Sequence, residues 1–372
     1  MKTPYYLIYK KKFEENCLEV ENNFRKAWGN NFRCGYSFKT NYSHELIKMA
    51  KSRGWFAEVV SDDEFIYAHE IGFGNKEMIC NGPVKGNMLQ QALEQYQILN
   101  VDSLEEVEKV CEIVKKKDLC KKELRIGLRV NFNLENVCPG ETIAGKNASR
   151  FGLSYENGDL KRAILYFQEN EIYISGIHMH TSTKSRSLSV FRELSKMACR
   201  LKEEFHLHLQ YIDIGGGFFG GQIVTGKPLM REYAEVIAKE LKKKFDPRIV
   251  TLIVEPGASV TATAVDYIAG VANIRNILNE RVVTLDGTLL HINPFMVSRK
   301  PVLEIKKAGN TEIAIQHLCG CTCMENDRFD ILYDYKELLP GSRVVIHNAG
   351  AYTTSLNSQF IVKPPKVYFV ER

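Results

Sequence analysis

The chain has little of anything that would place it outside the ordinary globular class. No apolar run approaches the roughly 18 residues needed to cross a bilayer, so no membrane span is expected. The opening stretch, Met1-Lys-Thr-Pro-Tyr-Tyr-Leu-Ile-Tyr9, is too short and too soon charged for a secretory signal, and a cytoplasmic location is expected. In that setting the ten cysteines read as reduced thiols, not as a disulfide framework. A strong charge of either sign is also missing. The net charge is only +5 over 372 residues, and lysines interleave with acids in Glu105-Glu106-Val-Glu108-Lys109 and Lys115-Lys116-Lys117-Asp118. Such stretches are solvated faces rather than a nucleic-acid footprint. Lys10-Lys11-Lys12 reads as an exposed turn. There is no internal repeat, no low-complexity segment and no set of Cys-x-x-Cys pairs, and the Gly-x-Gly-x-x-Gly spacing of Gly215, Gly217 and Gly220 lacks the helix start that a dinucleotide loop requires.

What is present is an ordinary core-forming mixture, 44% hydrophobic and 26% charged, long enough for one large barrel or for two to three smaller domains. From about residue 30 to 255, short β-rich segments alternate with longer amphipathic ones. Strands are expected at 32–38, 56–60, 78–81, 97–101, 125–131, 174–180, 209–214 and 249–254. Apolar residues at three- and four-residue spacing predict helices over 43–53, 62–71, 103–116, 187–204 and 230–244, and Ser103-x-x-Glu106 is a capping-box start. Eight strands with intervening helices predict a parallel (β/α)8 TIM-type barrel over 14–258. After Glu255 the texture turns to Val-, Ile- and Thr-rich strands, at 281–285, 302–305, 311–316 and 342–347. This predicts an all-β domain over 259–372, joined by the N-terminal segment 1–13 and its strand at 4–9.

Catalytic groups of such barrels sit at the C-terminal strand ends. Here those ends carry Lys39, Glu58, Arg129, His180, Gly215-Gly216-Gly217 and Glu255. A lysine after the apolar strand 32–38 calls for a partner or a covalent role. Three glycines let backbone N–H groups converge on an anion, although a tight turn uses them too. Glu255-Pro-Gly257 is expected to project a carboxylate from the rim, suited to a pyridine nitrogen, while a solvated turn glutamate is the plainer alternative. His178 and His180 alternate on one strand and so share a face. They lack a third ligand, and Cys319-Gly-Cys321-Thr-Cys323 lacks paired spacing, so no metal is expected.

These motifs, in this order, resemble the fold-type III pyridoxal 5'-phosphate (PLP) decarboxylases, the family of the ornithine, diaminopimelate and arginine enzymes, related in barrel to alanine racemase. Tyr36-Ser-Phe-Lys39-Thr-Asn41 is similar to the family's Tyr-Ala-x-Lys-x-Asn, and Glu58-Val-Val-Ser61-Asp-Asp-Glu64 to its Asp/Glu-x-x-Ser-x-x-Glu. Arg129-Val-Asn131, Arg150-Phe-Gly152, His178-Met-His180, Ile212-Asp-Ile-Gly-Gly-Gly217, Glu255-Pro-Gly257 and Gly350-Ala-Tyr352 follow. The resemblance implies a PLP-dependent amino-acid decarboxylase in which Lys39 forms the Schiff base, Glu255 pairs with the pyridine nitrogen and His180 stacks on the ring. It implies a phosphate held by Gly216, Gly217, the backbone of Gly257 and Ala258, and Tyr352, with Glu58 and Arg129 also in the cofactor pocket. Cys323 would come from the partner subunit of an obligate homodimer and protonate the carbanion.

Departures from the family pattern fall where phosphate and substrate would bind. His-x-Gly-Ser becomes His180-Thr-Ser-Thr183, which leaves Thr183 to supply the phosphate hydroxyl, and Glu-Pro-Gly-Arg becomes Glu255-Pro-Gly-Ala258, which removes an arginine. The diaminopimelate enzymes' Arg-Pro-x-x-Tyr reads Asn293-Pro-Phe-Met-Val297. Ser298 and Met324 stand where ornithine enzymes place acids, with Glu325 one residue away. Asn293, Glu325 and Tyr352 are therefore the candidate substrate contacts, and an unusual small-molecule substrate from specialised metabolism is expected, an amino acid or an amino-acid conjugate, free or carrier-bound. A racemase or epimerase on the same fold, and a catalytically silent decarboxylase-like regulator, are the competing readings.

Overall fold

The computed structural model describes residues 1–145, 147–297 and 300–371. The chain opens with β1 (Tyr5–Tyr9) and α1 (Lys10–Trp28). Strands and helices then alternate: β2 (Phe32–Ser37), α2 (His44–Ser52), β3 (Phe56–Val59), α3 (Asp62–Ile71), β4 (Met78–Cys80), α4 (Met88–Glu94), β5 (Ile98–Val101) and α5 (Leu104–Lys116). The alternation continues through β6 (Arg125–Asn131), a short β7 (Leu153–Ser154), α6 (Asp159–Glu169), β8 (Ile174–His178), α7 (Leu188–Glu204), β9 (Tyr211–Asp213), α8 (Met230–Leu241) and β10 (Thr251–Val254). After the single turn α9 (Ala258–Thr261) come β11 (Val265–Ile277), β12 (Glu280–Leu285), β13 (Leu303–Lys306), β14 (Glu312–Cys319), β15 (Arg328–Lys336), β16 (Arg343–Ile346) and β17 (Lys366–Val370).

The chain divides into two compact units, one of Cys17–Lys39 and His44–Ser259, the other of Met1–Asn16, Thr40–Ser43 and Val260–Arg372. In the first, parallel strands run in the order β5-β4-β3-β2-β10-β9-β8-β6, and β5 pairs β6 to close the ring. All eight expected barrel strands are present, each shortened by at most a few residues. Closure leaves no edge strand among them, and it turns alternate residues of every strand into the interior. The helices follow from local chemistry. Ser61 and Ser103 accept the N–H groups of Glu64 and Glu106, capping α3 and α5, and Gly72 in the left-handed region ends α3.

Sequence and structure part company at the start of the chain. Lys10, Lys11 and Lys12 are the first turn of the 19-residue helix α1, not an exposed turn. The helix is dense in charge, which hid its apolar stripe: Phe13, Cys17, Val20, Phe24 and Trp28 recur at three- and four-residue spacing and are all buried. Helices α4 and α6 were also not expected; α6 buries Leu160, Ala163, Ile164 and Phe167 on one face. No helix among the described residues is long and apolar enough to cross a membrane.

In the second unit, strands run in the order β13-β16-β11-β12-β14-β15. The long β11 lies antiparallel to β16 through its first half and to β12 through its second. Strand β1 pairs antiparallel with β11 and parallel with β17, and Tyr5, Leu7, Ile268 and Val345 form a buried cluster there.

One packing constraint inside the barrel reaches the site. Tyr211 on β9 points inward, and a Cβ at Gly127 on β6 or at Gly176 on β8 would overlap its phenol. Both positions need glycine for space, since neither has a positive φ. Gly176→Ala is expected to destabilise the fold by about 1–3 kcal/mol through overpacking, read as a lower denaturation midpoint in urea; an unchanged midpoint would mean that the ring has room to move.

Candidate active site

The barrel register gathers residues far apart in sequence. Ser37 on β2 lies beside Glu58 on β3, Arg129 on β6 beside His178 on β8, and His178 beside Asp213 on β9. Lys39 follows β2 in a 3-10 turn, Asn81 follows β4, and Glu255 follows β10. Lys39 Nζ, on a side chain 37% exposed, forms a salt bridge with the buried Glu58 Oε2. The same oxygen accepts from Ser37 Oγ at 2.7 Å. Asn81 Nδ2 donates to Glu58 Oε1 at 3.0 Å and to Glu255 Oε1 at 2.6 Å, so one amide group touches both carboxylates.

Glu255 is 5% exposed. The expectation that its carboxylate projects from the rim is therefore corrected: it turns into the barrel because a neighbouring imidazole and an amide compensate its charge there. His178 Nε2 lies 3.5 Å from Glu255 Oε2. Burial pushes the Glu255 carboxyl up, but His178 and then Lys39 outweigh it and hold the group well below the usual carboxylate range. Asp213 goes the other way. Burial, and then the charge of Glu255, raise its carboxyl well above its ordinary value, so this acid keeps the proton and Glu255 the charge. The ligand atoms of His178, Asp213 and Glu255 all lie within 4.8 Å of one another.

His180 stacks on His178 at 6.1 Å between ring centroids and 10° between planes. Burial, followed by the positive charge of Arg129, lowers its pKa from 6.5 to about 3, so the ring is neutral. Gly216 N–H donates to His180 Nδ1 at 3.3 Å, which leaves the ring proton on Nε2. The loop after β9 is tightly built. Gly215 N–H donates to Asp213 Oδ1 at 2.8 Å, and Glu255 N–H donates to Gly215 O at 2.8 Å. A Cβ at Gly216 would overlap the Glu255 carbonyl, whereas the position of a Cβ at Gly217 faces open space.

Arg129 is already engaged: it pairs with Asp102 at 3.1 Å and lies 4.4 Å from the Phe151 ring. Thr183, in the loop after β8, forms an isolated bridge with Thr142. Gly257 is buried and Ala258 half-buried at the start of α9. Among the described residues the barrel thus collects Lys39, Glu58, Arg129, His180, Gly216, Gly217 and Glu255, and adds Asn81, His178 and Asp213.

The other candidates stand in the β-rich unit. Cys323 is exposed in the turn between β14 and β15. That turn is folded around the buried Asp327, which accepts from Thr322 Oγ1 at 2.6 Å, Thr322 N–H at 3.1 Å and Leu289 N–H at 2.7 Å. Tyr352 is 40% exposed, with φ of 57°, and its N–H donates to Thr40 O at 2.8 Å. Asn293 is buried and its amide is used locally, donating to Val297 O at 2.8 Å and accepting from Val297 N–H at 3.3 Å. Glu325 is exposed and pairs with Arg328 on the same turn. Ser298 lies outside the described residues.

A closed parallel barrel with one amine, an ionised interior carboxylate, a neutral stacked imidazole and a glycine anion loop defines a class of site built to hold a flat, charged cofactor. Comparison with known proteins gives the same class. Residues 11–262 match the family model for the pyridoxal-binding domain of pyridoxal-dependent decarboxylases. A probable chloroplastic diaminopimelate decarboxylase of Oryza sativa subsp. japonica is 25% identical over 389 residues, spanning 100% of this chain and 75% of that one. A lysine/ornithine decarboxylase of Selenomonas ruminantium is 25% identical, spanning 96% and 87%. In fold, the chain superposes on the diaminopimelate decarboxylase of Methanocaldococcus jannaschii in complex with L-lysine with a TM-score of 0.86, 23% identity and coverage of 99% and 87%. The chain belongs to the pyridoxal-dependent decarboxylase family.

His180 and Glu255 predict an acid response in two windows. A neutral buried histidine binds fewer protons folded than unfolded, so stability is expected to fall as pH drops from the ordinary value of 6.5 toward about 3. Glu255 adds its loss only below the ordinary carboxylate value of 4.5. Urea midpoints between those values are expected to slope less in His180→Gln than in the parent. The residual slope belongs to other groups such as His291, which burial lowers to about 4. Equal slopes would mean that His180 takes up its proton freely.

Proposed function

We propose that the protein decarboxylates an amino acid or amino-acid conjugate whose distal end carries no lone carboxylate or ammonium of the diaminopimelate or ornithine kind. The observation that carries the decarboxylase reading is the single network that joins the Lys39 amine, through Glu58 and Asn81, to the buried and ionised Glu255. These residues fit PLP. Glu255 suits a protonated pyridine nitrogen, and Gly217 offers an N–H group at the start of an open loop, beside Gly216, whose N–H is turned to His180. When bound, PLP supplies the electron sink for the pair left as the α-carboxylate departs.

The chain's own groups do the rest. Lys39 is the amine to be displaced by substrate, and Glu58 Oε2 accepts from its Nζ and so fixes where that nitrogen points. His180, being neutral, presents an uncharged planar face. Thr183, the backbone of Gly257 and Ala258, and Tyr352 complete the phosphate grip in this reading, while Arg129 stays on Asp102 and fixes the wall of the pocket. For Cys323 the role implied by the family resemblance is kept: a thiol contributed by a second copy of the chain, which returns the proton, making the homodimer the active form.

The neutral distal end rests on three features. The amide of Asn293 is spent on Val297, Glu325 is paired with Arg328, and the segment Pro294-Phe-Met-Val297 offers Phe295 and Val297 as exposed apolar side chains. A charged distal group would find no free opposite charge among these. The test is carbon dioxide release over a panel of diamino acids and their conjugates, with products identified by mass spectrometry. Deuterium exchange at Cα without gas would overturn decarboxylation in favour of racemisation. Lys39→Ala is expected to lose the visible absorbance band of the cofactor-loaded protein and all turnover. Cys323→Ala is expected to dimerise and bind PLP with turnover reduced at least tenfold, on the order of a missing general acid; a parental rate would remove Cys323 from the reaction.

A further inference from the structure

The two site carboxylates are joined to a buried tyrosine by a column of amides. Asn81 Nδ2 donates to Glu58 Oε1 and Glu255 Oε1, Asn100 Nδ2 donates to Asn81 Oδ1 at 2.8 Å, and Tyr211 Oη donates to Asn100 Oδ1 at 2.9 Å. All three residues are at most 3% exposed. Burial raises the Tyr211 phenol well above its ordinary value, so it keeps the proton that it donates.

The direction of this column follows from either end. Two carboxylate oxygens require the NH2 face of Asn81, because its carbonyl there would set acceptor against acceptor and face the charge of Glu255. The Asn81 oxygen then faces Asn100 and needs a donor. Asn100 can donate only by turning its own oxygen to Tyr211, which must donate in turn. With a donor missing at the far end, the Tyr211 side no longer holds Asn100 against rotation, and a rotated Asn100 sets two amide oxygens against each other. The barrel also commits two glycines to admitting Tyr211: a Cβ at Gly127 would overlap the Tyr211 hydroxyl and the Asn100 oxygen, and one at Gly176 would overlap the ring.

We propose that Tyr211, Asn100 and Asn81 are positioning residues that lock the carboxylates of Glu58 and Glu255 into one electrostatic unit, and so govern how the protein holds PLP and at what pH the bound cofactor titrates. The inference rests on the decarboxylase reading, but none of the three needs to touch cofactor or substrate.

The test uses cofactor-loaded protein without substrate. PLP affinity and the pH dependence of the bound cofactor's absorption band are measured for the parent, Tyr211→Phe, Asn81→Leu and the double variant. Tyr211→Phe keeps the ring that fills the glycine slot, and it is expected to weaken PLP binding about tenfold, the scale of one buried hydrogen bond. Its absorbance titration should shift in the same direction as that of Asn81→Leu. The double variant should bind no worse than Asn81→Leu, because residues acting in series do not add. Parental affinity and titration in Tyr211→Phe, or additive losses in the double variant, would overturn the column. Should Asn81→Leu fail to fold, Tyr211→Phe decides alone. A parent protein that binds no PLP would instead sink the decarboxylase reading.

Discussion

Keeping two carboxylates inside a β-barrel, one of them held in its charged form, is the constraint around which the rest of the structure is arranged. An unpaired buried carboxylate costs several kcal/mol even after relaxation, and removing one partner of a buried pair exposes that cost. Glu58 and Glu255 are both at most 5% exposed, so each oxygen needs an opposite charge or a donor. Ser37, Lys39 and Asn81 serve Glu58, while Asn81 and His178 serve Glu255. Asp213 avoids adding a third charge by holding its proton.

A barrel is the architecture that satisfies this arrangement. The two residues joined by the Asn81 amide to Glu255 are 174 positions apart, and Tyr211 stands 111 positions from Asn100. Parallel strands bring such residues level because each strand end meets its neighbour's in a fixed register, and closure makes the first and last strands neighbours as well. Without the β5–β6 pairing the ring would open between the strands that carry Asn100 and Arg129. The site is therefore a property of closure, and not of any one loop.

Much of this was legible in the chain. The eight barrel strands followed from the alternation of β-rich and amphipathic segments, and reading their C-terminal ends identified Lys39, Glu58, His180, the glycine run and Glu255. Two kinds of feature escaped. Helix α1 was masked by its own charge density, since Lys10-Lys11-Lys12 and the acids after it dilute an apolar stripe that only a 3.6-residue period reveals. Asn81, Asn100, His178, Tyr211 and Asp213 escaped because a polar residue on an apolar strand does not say which partner it meets. Their signal was their presence inside otherwise apolar runs, which marks an inward polar position without identifying the network. The burial of Glu255 was misjudged for the same reason: its neutralising partners come from β4 and β8.

The groups gathered at the barrel site and the candidate contacts for the far end of a substrate fall in different parts of the chain. The amine, the ionised acid, the neutral imidazole and the glycine loop are all barrel residues, and each is constrained by buried partners that a substitution would leave unpaired. Asn293, Met324 and Glu325 lie on turns of the β-rich unit, where the side chain of Asn293 bonds to Val297 and that of Glu325 pairs with Arg328. Changing such residues disturbs a turn; changing Glu58, Asn81 or Glu255 strands a charge. This asymmetry of cost lets contacts on the turns differ without disturbing the buried barrel network, in a chain only about a quarter identical to its relatives.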